Sequence, residues 1–163
     1  MSYAENTNVS VGESVAGIEE VITKYEGDGI VVIPSPLTGT VLFVMRGKQI
    51  RMTVDLPKED YNSGAKAKRK HQQVIMQKWR AFFLTIKAKL VAVEEGIESF
   101  EQAFMPHIVM ADDQTVGQAL LPKIEKALSA GTSLLIGGSS GAADTDEDFD
   151  SGDSHLLSEK AVN

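Results

Sequence analysis

The chain has 163 residues, 16 Lys or Arg against 23 Asp or Glu, a formal net charge of −7, 42% hydrophobic residues and no cysteine. This length carries one ordinary domain with a real core, and the lack of thiols excludes disulfides, zinc–thiolate sites and cysteine nucleophiles. No apolar run approaches the roughly 20 residues that span a bilayer, and MSYAENTNVSVGES has neither the charged nor the apolar part of a secretory signal, so a cytoplasmic protein without a membrane partner is expected.

Residues 1–13 are polar and are expected to form a flexible N-terminus. Ser14 is placed to cap a short helix, SVAGIEEVITKYEG, in which Val15, Ile18, Val21, Ile22 and Tyr25 follow the helical period. Three strands are predicted next: GIVVIP (29–34), GTVLFVMR (39–46) and KQIRMTVD (48–55). The last alternates Ile50, Met52 and Val54 with Arg51, Thr53 and Asp55, and Gly47-Lys48 fits a tight hairpin turn before it. Together they predict a three-stranded antiparallel meander with one buried face.

After the polar link PKEDYNSGA (57–65), apolar residues recur at 75, 79, 82, 86, 90, 93, 97, 100 and 104. Steps of three and four without a gap predict one helix from 66 to 104. Gly96 weakens such a helix by about 1 kcal/mol relative to Ala without ending it. HIVM (107–110) is predicted as a short strand. Thr115 is placed to cap a final helix, TVGQALLPKIEKALSAG, which Pro122 must kink or split. From 138 onward, seven acids, one base and many small residues cannot offset their ordering entropy. The expected organisation is therefore a flexible stretch at 1–13, a single α+β domain at 14–131, and a flexible linker with a disordered acidic tail at 132–163. A helix of about 38 residues is near 57 Å long. One three-stranded sheet cannot cover that length, which predicts a homo-oligomer built on the spare apolar stripe.

Charge is segregated along the chain. Residues 66–90 hold eight Lys or Arg and no acid, whereas the other eight cations stand against all 23 acids. At 100° per residue, Arg69, Gln73, Arg80 and Lys87 lie away from the apolar stripe. Lys66, Lys68, Lys70 and His71 crowd the first turns, where a helix N-terminus already attracts anions. A phosphate-binding set of Lys66, Lys68, Arg69, Lys70, Arg80 and Lys87 follows. Trp79 and Phe82 belong to the stripe and are expected in the core. The competing reading is a solvated face balanced by the protein's own excess acid.

No enzyme motif meets its structural requirement. Gly137-Gly138-Ser139-Ser140-Gly141 matches G-x-S-x-G, and Asp144 and His155 follow in hydrolase order. The flanks, however, lack the strand and helix that such a serine needs. His71, His107 and His155 have no metal-ligand spacing. The alternating Asp144, Asp146, Asp148 and Asp150 lack the glycine and glutamate of a calcium loop. Glu94, Glu95, Glu98 and Glu101 read as the solvated continuation of the long helix, with no pairing partner in a motif. No P-loop or dinucleotide fingerprint occurs, so neither enzymatic activity nor a cofactor or metal is expected.

The stretch WRAFFLTIKAKLVAVEEGIESFEQAFMPHIVMADDQTVGQALLP (79–122) resembles small accessory proteins of tailed bacteriophages and prophages. The matching parts are Trp79-Arg80-Ala81, Lys87 to Ile97, His107 to Asp113 and Thr115-Val116-Gly117, with GKQIRMTVDLP (47–57) before them. The resemblance implies a phage accessory role in the host cytoplasm, in DNA metabolism, host takeover or counter-defence, and brings no catalytic residues. The predicted order is also similar to that of double-stranded RNA-binding domains. Ser63-Gly64-Ala65-Lys66 echoes their loop only loosely, and the helix is too long. The expectation is thus a non-enzymatic phage-type protein that binds nucleic acid through a basic helix. The alternatives are a counter-defence or host-takeover protein that binds a host protein, and an oligomer that sequesters a nucleotide signal through its phosphate.

Overall fold

The structure is a computed structural model that describes residues 7–58 and 64–130. Helix α1 spans Val11–Lys24, strands β1, β2 and β3 span Asp28–Pro34, Thr38–Met45 and Lys48–Asp55, and helix α2 spans Ala65–Glu94. Helix α3 covers Phe100–Phe104, a 3-10 turn covers Met105–His107, and helix α4 covers Val116–Ser129. The α+β order predicted from the sequence is present.

The sheet is an antiparallel meander in the order β1-β2-β3. Its inward side carries Val41, Phe43 and Met45 from β2 and Ile50 and Met52 from β3, all buried. A bulge near Gly29, whose φ is +59°, re-phases β1 so that Ile30 and Val32 join that side. The β2–β3 turn is formed by Arg46 and Gly47, at φ 51° and 71°, because Met45 pairs directly with Lys48. Two positive φ values in a two-residue loop match the right-handed strand twist. The turn therefore sits one residue before the predicted Gly47-Lys48.

Helices α1 and α2 cover the inward face of the sheet. They run side by side in the same direction: Gln73 Nε2 donates to the Thr7 carbonyl at 2.9 Å, Gly17 faces the Phe83 ring, and the Tyr25 hydroxyl donates to Glu94 at 2.6 Å. Ser14 does not cap α1. Ser10 does, in a reciprocal pair with Glu13, and Ser14 lies buried inside the helix with its hydroxyl bonded back to the Ser10 carbonyl.

The largest departure from expectation is the end of α2. The predicted helix over 66–104 stops at Glu94. Gly96 adopts φ +69°, its N–H bonds the Val93 carbonyl at 3.3 Å, and the Ile97 N–H bonds the Ala92 carbonyl at 2.9 Å. These two bonds form a Schellman ending. Ile97, on the predicted stripe, is 76% exposed. Ser99 then caps α3 in a box with Gln102, and α3 folds back so that Phe100 and Phe104 enter the same core. Phe104 meets Phe43 edge-on at 6.1 Å and stacks on Phe100 at 5.1 Å. Apart from Ile97 the stripe is thus buried or partly buried within one chain, and with α2 ending at Glu94 the length argument for an oligomer built on it no longer applies.

The predicted strand at 107–110 is reduced to two single-residue bridges, Ile50 to Ile108 and Val109 to Thr115. Thr115 caps α4 as expected, in a box with Gln118, and α4 runs through Pro122 as one helix. Among the described residues, no helix is long and apolar enough to cross a membrane. The predicted acidic tail, the G-x-S-x-G match and the alternating aspartates lie outside the described residues.

Candidate nucleic-acid interface

α2 is anchored from Gln73 onward, by the Gln73 bond to Thr7 and the partly buried Ile75 before its buried residues begin. Its buried residues are Trp79, Phe82, Ile86 and Leu90, which places Trp79 and Phe82 in the core. Residues 65–70 are exposed on every side, and from Ala65 to Gln73 the only non-polar side chains are alanines. At 1.5 Å per residue, the segment before Trp79 is about 20 Å of helix. Lys66, Lys68, Arg69 and Lys70 sit at its far end, exposed.

This end is electrostatically unfavourable on its own. Gly64 is the N-cap and gives no side-chain hydrogen bond, and the first turn holds no acid. The uncapped N–H groups of the helix start and the positive end of its dipole meet four cations, and Lys66 and Lys70 are like charges four residues apart. Among the described residues the ion pairs are Lys48–Glu101 and Arg51–Asp113, and neither involves α2. An anion would relieve all of these terms together.

Arg80 and Lys87 are placed differently. Their face of α2 borders α1. The Arg80 guanidinium lies 5.0 Å over the Phe83 ring and close enough to Glu13 to act on it. Glu13 is held below the usual carboxylate range, first by the Ser10 N–H and hydroxyl and to a smaller extent by Arg80. Lys87 lines a cleft between the two helices with Gly17, Glu20 and Phe83. These two cations are therefore separated from the terminal four and face acids of α1. Which face of α2 would meet α1 is a tertiary fact that the helical period does not encode.

A second cationic group lies on the opposite flank. Lys78, Thr85, Lys89 and His107 line a groove along β3 at Met52–Val54. Lys89 is already engaged: its Nζ donates to the Ala103 carbonyl at 2.6 Å and lies 5.9 Å from the Phe104 ring. Burial, with help from the Lys89 charge, lowers the His107 pKa. The sequence separates His107 from Lys78 by almost thirty positions, so periodicity alone could not group them. Glu94, Glu95, Glu98 and Glu101 are exposed, as expected, and two of them have partners. Glu94 accepts the Tyr25 hydroxyl, which raises the Tyr25 pKa, and Glu101 pairs with Lys48 at 3.2 Å. Among the described residues no group of three His, Asp or Glu could hold a metal ion.

No family model, curated protein or solved structure matches the chain.

Proposed function

We propose that the projecting start of α2 is a phosphate-binding arm for nucleic acid in a non-enzymatic phage-type accessory protein, with Lys66, Lys68, Arg69 and Lys70 as its primary contacts. The observation that carries this reading is the exposure of these four cations at a helix start without a side-chain cap, with no ion-pair partner among the described residues. Stability alone would favour acids there. Arg80 and Lys87 take a secondary role, because the acids of α1 share their surface. The contacts are to backbone phosphates, which position the protein on the nucleic acid and carry no sequence information themselves.

The test is fluorescence anisotropy with short single- and double-stranded DNA and RNA, on full-length protein and on protein ending at residue 137. Affinity is expected to fall with salt at a log–log slope of about −0.9 per duplex phosphate neutralised. Replacing Lys66, Lys68, Arg69 and Lys70 together with Glu should abolish binding and leave the thermal midpoint in place, because none of them is buried. Replacing Arg80 and Lys87 should weaken binding less. Absence of binding below about 100 µM at low salt, the weak end of ordinary non-specific affinity, removes the reading.

A further inference from the structure

Among the described residues, two apolar surfaces of this chain have no cover. The first is on α4. Leu120, Leu121, Ile124 and Leu128 share one side of the helix, and they are 42%, 56%, 40% and 57% exposed. The second is the outward face of the sheet. Val31, Ile33 and Val44 are 50%, 48% and 42% exposed there, and Leu42 lies between them as the cross-strand partner of Val31.

The two surfaces are related through one anchor. Arg51 is on the outward side of β3, between the buried Ile50 and Met52. Its guanidinium donates to the Asp113 carboxylate at 3.2 Å, to the Asp113 carbonyl and to Gln118 at 3.4 Å. The base of α4 is thereby tied to the outward side of the sheet. The first turn is held tightly as well, since a Cβ on Gly117 would lie 2.8 Å from the Pro106 carbonyl oxygen. Beyond that turn, α4 leaves its apolar face open.

We infer that α4 packs its Leu120–Leu128 face on the outward sheet face of a second copy of this chain, and that the second copy returns the same contact. A helix with one apolar side and a sheet with one apolar side bury each other as adjacent layers. When both belong to the same chain, a two-fold axis closes the arrangement with two equal contacts and leaves neither surface open. A foreign partner of either surface would leave the other uncovered. Seven large aliphatic side chains, each about half accessible, contribute from each copy. Counted over two copies with their surroundings, they reach the order of the ~1,600 Å² of a standard interface. The rims also match: Lys123 and Lys126 outnumber Glu125 on α4, while Asp28 and Asp55 stand exposed at the ends of β1 and β3. The assembly predicted from the α2 stripe is thus relocated to α4 and the outer sheet, and it stands independently of the phosphate-binding arm.

The experiment is sedimentation velocity on the full-length chain at tens of micromolar, with two single variants and their mixture. The wild type should sediment as a dimer. Leu121→Asp breaks the helix side of both contacts and Val31→Asp the sheet side, so each alone should sediment as a monomer with unchanged circular dichroism. Mixed in equal amounts they should recover dimer, more weakly than wild type, because one heterodimer contact pairs an intact helix with an intact sheet. Leu128→Asp and Ile33→Lys serve as the pair if either first variant loses its fold. A monomeric wild type overturns the inference and leaves the surfaces to another partner or to residues 131–163. Dissociation by the helix variant alone overturns it in favour of helix-on-helix pairing. Failure of the mixture to recover dimer overturns it as well.

Discussion

Gly39 on β2 and Trp79 on α2 leave no room between them for a methyl group. A Cβ built on Gly39 would lie 2.5 Å from Trp79 Cζ2 and 2.7 Å from Cη2. The indole is 2% exposed and is the only tryptophan of the chain. This contact sets how closely α2 approaches the sheet. Gly39→Ala forces the ring or the strand to move and should cost about 1–3 kcal/mol, the range for overpacking a filled core. Urea titration followed by Trp79 emission checks both consequences, a lower midpoint and a red-shifted native spectrum. An unchanged midpoint and spectrum would mean that the sheet gives way freely there.

The α2–α3 break rests on backbone conformation at Gly96. A Cβ there meets nothing within 4 Å, so any penalty for Gly96→Ala comes from its φ of +69°. The expected loss is about 1 kcal/mol, or a fall of about 3–6 °C in thermal midpoint. Gly96→Asn should lose less, because Asn tolerates the left-handed region better. If Gly96→Ala instead raised the midpoint, α2 would be continuing past Glu94.

Arg51 holds the base of α4 through Asp113 and Gln118, and its side chain is 21% exposed. Arg51→Met keeps much of the stem and removes these bonds. Hydrogen exchange should quicken in the first turns of α4 and remain slow in β2, whose strand is bonded on both sides. Equal exchange in α4 with and without the guanidinium would show that the packing of Gly117 on Pro106 holds the helix alone.

His107 gives stability a pH dependence of defined sign. Its pKa is lowered in the fold by burial and by Lys89, so the folded state prefers the neutral ring. The associated stability is present above the unfolded value of about 6.5 and is lost as pH falls through the depressed folded value. Comparing thermal midpoints from pH 7.5 to 5 for wild type and His107→Gln isolates this contribution from the other titrating groups. The wild type should lose more across that window. Identical pH profiles would remove His107 as a source.

The sequence by itself determined the order of first helix, meander, long helix and last helix, the inner face of β3, the cap at Thr115 and the segregation of cations into 66–90. Each of these is a local pattern, namely a period, a capping residue or a run of charge. The turn at Arg46-Gly47 lies one residue and the cap of α1 four residues before their predicted places. Ser10 with Glu13 carried the cap signal more fully than Ser14 did. The break after Glu94 was marked by Gly96 and by Ser99 with Gln102, yet the apolar period ran straight across it. Phe100 and Phe104 fold back into the same core that the stripe of α2 lines, so the spacing stays in phase while the chain turns. Only the tertiary structure decided that Ile97 is left in solvent, that Arg80 and Lys87 border α1 while Lys66 to Lys70 are exposed, and that no other described residue covers α4 or the outer sheet. The physical reason is common to all three. A helical period states that a face is apolar or charged, whereas burial and pairing depend on which distant element arrives against that face.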